Sequence, residues 1–128
     1  MCPQRELANG DVQRVESPAE ARRWVRSVLN GVAPHSIDDA CLLVSELVTN
    51  AFLYGGGSPA LRASLDGDEL VLSVTDESRA HPVPRPLGAA DESGGLGLRI
   101  VEGLTSSWGV RDVPGGKVVW AHMPLHGR

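Results

Sequence analysis

At 128 residues the chain has the length of one ordinary domain and can bury a real core without metals or disulfides. Sixteen acidic against 12 basic residues leave a formal charge of −4, which supplies no general electrostatic pull toward nucleic acid or an anionic membrane. Two cysteines, Cys2 near a terminus and Cys41 inside an apolar helical pattern, argue against a disulfide framework, and no apolar stretch is long enough to span a bilayer. Reduced thiols and a cytoplasmic location are therefore expected.

Residues 1–10 read as a flexible lead, 11–125 as the folded domain and 126–128 as a short tail. DVQRV at 11–15 suits a short edge strand. SPAEARRWVRSVLNG then carries helix punctuation: Ser17 as cap, Pro18 at N1, Glu20 three residues on to close a capping box, and Gly31 as stop. A second helix is predicted from about Ser36 to Tyr54, ended by the glycines at 55–57. ALRASLDGDELVLSVTDES alternates in both arms around Asp66-Gly67 and predicts a hairpin. Residues 79–93 hold three prolines and little periodicity, so they read as a loop. A third helix is expected over 96–106. SSWGVRDV and GKVVWAHM read as two final strands joined through Pro114-Gly115-Gly116, with Trp108 and Trp120 anchoring them in the core. Helices and antiparallel-prone strands in this order favour one layered α/β domain.

Three places carry chemistry. On the second helix, Ile37, Cys41, Val44, Val48 and Ala51 form a core seam, yet Leu42, Leu43 and Leu53 lie around the opposite side with Glu46 and Asn50. A helix apolar nearly all round is buried or lines a pocket, and a carboxylate and an amide there need partners. Glu46 and Asn50 stand one turn apart, so both can face one ligand: the amide oxygen suits a hard cation, and the carboxylate can orient or deprotonate a hydroxyl. The alternative is that Glu46 is simply a good helix former. Asp76 shares the parity of Leu70, Leu72 and Val74, which puts an acid at the inward end of a strand, where it can accept from an exocyclic amine with help from Ser78. A loop-opening Asp bonded to nearby backbone amides is the competing reading. GGLGLRIV at 94–101 enters a helix through Gly94, Gly95 and Gly97, which suits phosphate at the helix N-terminus or, equally, hinge and packing glycines. Lys117 suits phosphate neutralisation or a solvated strand edge. His35, His81, His122 and His126 are scattered and form no zinc motif.

Taken in order, VSELVTNA at 44–51, VTDES at 74–78, GGLGLRIV at 94–101 and SSWGV followed by GGKVVWAHM resemble the histidine-kinase-type ATPase domains, nearest to the bacterial anti-sigma-factor, serine-kinase-like regulators. The resemblance covers roughly residues 12–124. It implies an α/β two-layer sandwich, a mixed and mainly antiparallel sheet with helices packed on one face, and an ATP site between the long second helix and a lid before the third. It further implies Glu46 as general base, Asn50 as the magnesium ligand, Asp76 as reader of the adenine amine, and Gly95, Gly97 and the Leu98 backbone at the phosphates. Residues 79–97 would then become more protected when Mg-ATP binds. The implied partners are a sigma factor, a small antagonist protein phosphorylated on serine, or both, together with a homodimer; a non-catalytic, nucleotide-sensing or nucleotide-independent module that sequesters a transcription regulator is the rival. Four positions depart from the family pattern: Ser78 and Ala80 in the loop after Asp76, Tyr54 where a basic residue is common, and Val118 where a Thr near the adenine pocket is common. Valine cannot supply that hydroxyl.

Overall fold

The computed structural model describes residues 5–6, 12–54, 58–77 and 95–126. In chain order the elements are β1 (Arg5–Glu6), β2 (Gln13–Arg14), α1 (Pro18–Leu29), a 3-10 turn (Pro34–Ser36), α2 (Ile37–Tyr54), β3 (Ala60–Asp66), β4 (Glu69–Asp76), α3 (Gly95–Leu104), β5 (Ser107–Val113) and β6 (Gly116–Pro124). The short β1 falls within the segment read as a flexible lead, and the loop expected over residues 79–93 lies outside the described residues.

Helix α1 starts as its sequence dictates. The Ser17 hydroxyl accepts from the Glu20 N–H at 3.1 Å, and the Glu20 carboxylate reaches back to the Glu16 N–H at 3.2 Å, one residue before the usual capping-box donor. The helix ends where the Asn30 N–H donates to the Arg26 carbonyl and Gly31 turns to φ +79°. Ala21, Trp24, Val25, Val28 and Leu29 are its buried face, and α1 lies against α2.

The sheet runs β1-β3-β4-β6-β5, with β2 pairing the same strand as β1 further along β3, and every ladder among the described residues is antiparallel. Two tight hairpins set its registers, with Gly67 (φ +62°) turning β3 into β4 and Gly115 (φ +84°) turning β5 into β6. Leu61, Ala63 and Leu65, then Leu70, Leu72 and Val74, then Val119, Ala121 and Met123 point to one face, where they meet Val25, Leu29, Leu43, Val44, Leu47 and Val48 from the helices. Each of the larger aliphatic side chains there contributes about 1.5–3 kcal/mol by burial. The result is a two-layer α/β sandwich.

The opposite sheet face carries no helix among the described residues. Arg62, Ser73, Arg111, Trp120 and His122 border a shallow hollow of about 310 Å³ on it. Trp120 therefore does not anchor the core as expected: the period-2 alternation of β6 puts it on this outer face, over Gly109, with its ring edge-on to His122 at 5.6 Å. Trp108 does pack against the core. Nor is α2 buried all round. Leu43 is fully buried, but Leu42 and Leu53 are 41% and 48% exposed, because only one side of the helix meets α1 and the sheet.

Strand β6 begins with almost no clearance. A Cβ on Gly116 would run into the Asp76 carbonyl oxygen and come within 2.9 Å of the Glu77 Cα, both of them backbone. Gly116→Ala must push the two strand ends apart, and we expect a loss of about 1–3 kcal/mol or more in urea unfolding. Gly103→Ala, with nothing within 4 Å of its added Cβ and a helical setting, should be neutral or stabilising in the same assay.

Candidate functional site: the β4–β6 strand ends and helix α2

Asp76 closes β4 with the parity of Leu70, Leu72 and Val74, so its side chain turns to the helix-covered face. Its direct partner across the ladder is Lys117, and the Lys117 ammonium donates to Asp76 Oδ1 at 2.9 Å. Both side chains are almost completely withdrawn from water, at 2% and 1% exposure. Lys117 is thus a fixed, buried cation rather than a solvated strand-edge side chain. Removing either partner would take away a charge-assisted bond made out of water. Val118 points the other way, into the outer hollow with Trp120 and His122. The residue opposite Asp76 is therefore 117, and the hydroxyl that Val118 lacks could not have reached Asp76 from position 118.

Helix α2 lies against β4 and carries Asn50 and Glu46 one turn apart. Asn50 is 5% exposed, and neither its amide oxygen nor its amide nitrogen has a hydrogen-bond partner among the described residues. Leaving such a group unmet costs about 1–3 kcal/mol. Glu46 is half-buried, and burial pushes its carboxyl above the ordinary 4.5. Asn50 is thus a buried amide with unmet bonding capacity, and Glu46 a carboxyl partly withdrawn from water one turn away.

Helix α3 begins at Gly95, so Gly95, Leu96, Gly97 and Leu98 form its first turn, whose N–H groups have no intrahelical acceptor. Their backbone offers donors and the positive helix end to an anion. Gly94, Ser78 and Ala80 lie outside the described residues, as does most of the expected lid over 79–97. Tyr54 closes α2. Among the described residues no three His, Cys, Asp or Glu side chains gather as a metal cluster. Cys41 is a small core residue whose thiol lies 3.8 Å from the Arg22 carbonyl and is pushed up in pKa by burial.

A family model described as histidine kinase-like ATPase domain matches residues 12–123. The chain belongs to that family. Comparison with curated proteins gave no match. Among solved structures, the domain is similar to the histidine kinase domain of the Erythrobacter litoralis EL346 blue-light activated histidine kinase, at 22% identity and TM-score 0.52 over 84% of this chain and 60% of that one. A longer structure of the same kinase matches at 22% identity and TM-score 0.53, over 84% of this chain and 40% of its own. The Acinetobacter baumannii histidine kinase AdeS matches at 9% identity and TM-score 0.54, over 91% and 68%. The chain thus spans 60% and 40% of the first two structures, and at these identities the likeness is one of fold.

In this ATPase domain the residue that sequence reasoning underused is Lys117. Its signal was present in the alternation Lys117, Val119, Ala121, Met123, which puts the lysine on the same face as three core residues. Gly116 was read only as a turn residue, whereas it is the clearance that lets β6 start beside Asp76.

The states of Asn50 and Glu46 make stability predictions. Asn50→Leu replaces a buried, unmet amide by an apolar group of similar size, so its melting temperature without nucleotide should rise; a fall would mean that the amide is satisfied in the native state. Glu46 binds its proton more tightly folded than unfolded. Its contribution to stability should therefore fall as pH rises from 4.5 through the raised folded value, the native state holding the larger share of its proton in that window. Glu46→Gln should flatten that slope in chemical unfolding and be at least as stable as wild type at pH 7.

Proposed function

We propose that this domain binds Mg-ATP between α2, the β4 end and the first turn of α3, and that it acts as a bacterial regulator resembling an anti-sigma factor by phosphorylating a serine on a small antagonist protein. The observation that carries the proposal is the buried Asn50 amide with neither atom bonded, one turn from a Glu46 carboxyl raised by burial, on the helix that packs against the strand ending in Asp76. An amide oxygen is a hard donor suited to magnesium, which supplies charge neutralisation of the phosphates when bound. Asn50 would hold that ion, and Asp76 would accept from the adenine amine. Gly95, Gly97 and the Leu98 backbone would donate to phosphate oxygens. Ser78 and Lys117 complete the proposed nucleotide contacts. Glu46 would accept the proton of the incoming serine hydroxyl as its oxygen bonds to the terminal phosphorus, and ADP leaves with the electrons of the broken P–O bond. A carboxylate whose pKa is raised by burial is a stronger base than one in water, which suits this part.

The order and spacing of VSELVTNA, VTDES, GGLGLRIV and GGKVVWAHM support the anti-sigma-factor branch. A sigma factor or its antagonist as partner, a homodimer and a cytoplasmic setting belong to the same proposal. No helix among the described residues is long and apolar enough to cross a membrane.

Calorimetry with Mg-ATP on folded variants tests the site. Asp76→Asn turns an acceptor into a mixed group facing the amine and should weaken binding at least about tenfold, ~1.4 kcal/mol. Unchanged affinity would remove the adenine contact. Glu46→Gln should bind nucleotide as wild type does but lose about 10²–10⁴-fold in transfer of labelled phosphate to a co-purified partner. Wild-type transfer should rise with pH through a midpoint above the ordinary carboxylate value, since the base acts only when ionised. Binding without transfer under every condition would select the non-catalytic, sequestering module instead.

A further inference from the structure

We infer that the hollow on the uncovered face of the sheet is a docking site for an acidic segment of a protein partner, which sets a carboxylate on Arg111 and an apolar side chain on Trp120. The inference stands apart from the nucleotide reading, since the hollow opens on the face away from the helices. Its lining among the described residues includes Arg62, Arg111 and His122 and no aspartate or glutamate, in a chain with 16 acidic against 12 basic residues. A partner that fits it carries the opposite sign.

The aromatic part of the hollow is held in place. Trp120 lies over its ladder partner Gly109, where an added Cβ would come within 2.6 Å of the indole, so the glycine is what lets the ring lie down on β5. His122 meets that ring edge-on at 5.6 Å and is itself faced by Glu69 at 3.4 Å, which fixes the imidazole as a wall. Trp120 stays partly open to water. A fixed, partly exposed indole beside arginine has the composition of an interface hot spot: apolar area that costs little conformational entropy to cover, next to a planar donor fork that matches a carboxylate.

The three cations differ in what they offer. Arg62 has a further interaction within the fold and His122 has Glu69 beside it, so neither presents an undivided charge. Arg111 stands exposed on β5 opposite Val118, with no ion pair or hydrogen bond to another described residue. It is the group that meets the incoming carboxylate.

Other occupants fit this face less well. A small molecule needs a pocket that covers most of its surface, which a shallow hollow of about 310 Å³ does not do. A long polyanion such as nucleic acid would also run over Asp66 and Glu69, which share this face at the β3–β4 hairpin, on a chain of net charge −4. A second copy docked about a two-fold axis through the hollow would set one basic lining against the other.

The test is selection of a random peptide library displayed on phage against the wild-type domain, followed by fluorescence anisotropy of the enriched peptides. Acidic sequences that also carry an aromatic or large aliphatic residue should be enriched. Their affinity should fall at least about tenfold in Arg111→Glu and in Trp120→Ala, yet stay within about twofold in Arg23→Glu, the same charge reversal on an exposed position of α1. Should Trp120→Ala not fold, Arg111→Glu decides alone, because its side chain is exposed. The inference is overturned if no acidic peptide is enriched, or if those enriched bind Arg111→Glu as well as wild type or lose as much in Arg23→Glu. A wild-type dimer in sedimentation that Arg111→Glu dissociates overturns it too, since the face then belongs to a second copy.

Discussion

The site end of the sheet is organised by one buried ion pair. Withdrawing an ammonium and a carboxylate from water costs several kcal/mol per ion, and their attraction offsets that only at close range and in good geometry. The 2.9 Å contact between Lys117 and Asp76 therefore needs β4 and β6 held in a single register, and the ladder from Glu69↔Pro124 to Asp76↔Lys117 provides it. A slip of one residue would turn Lys117 to the outer face and bring Val118 inward, with Met123, Ala121 and Val119 leaving the core at the same time. Apolar burial and the ion pair thus demand the same alignment, so local and global preferences reinforce each other.

Helix α2 works under a second constraint, since it must be both a core element and a platform. Leu43, Val44, Leu47 and Val48 lock it against α1 and the sheet, which gives Glu46 and Asn50 positions far more exact than a loop could. The same burial raises the Glu46 carboxyl and leaves the Asn50 amide unmet. Rigidity and polar discomfort have one cause here, the proximity of these side chains to the core.

Much of the fold was legible because its signals are local. The Ser17–Glu20 box, the Asp66-Gly67 and Gly115 turns and the alternation through β3 and β4 each span a few residues, and each element that was expected formed within two residues or so of its predicted place, while the short β1 was not foreseen. The parity rule also put Asp76 on the inner face. What escaped was non-local. The pairing of Asp76 with Lys117 joins residues 41 apart through a ladder whose register no short window contains, so Lys117 read equally well as solvated. On α2, angular position alone could not say how far its neighbours wrap, which is why Leu42 and Leu53 were counted with the buried leucines though both are substantially exposed. Trp120 was given to the core, whereas parity with Val118 and His122 already pointed outward.

The energetics of the wall formed by α2 and the β4 end bear on why such a wall persists. An unmet buried amide costs about 1–3 kcal/mol, a sizeable share of a typical domain stability of about 5–15 kcal/mol. A ligand that binds only the folded state at a hundred times its dissociation constant returns about 2.7 kcal/mol. The two magnitudes match, so on the nucleotide reading the strain held at Asn50 is of the size that occupancy of a single site relieves. A purely structural role for that asparagine has no such compensation, because an apolar side chain of the same volume would fill the space without leaving an amide unmet.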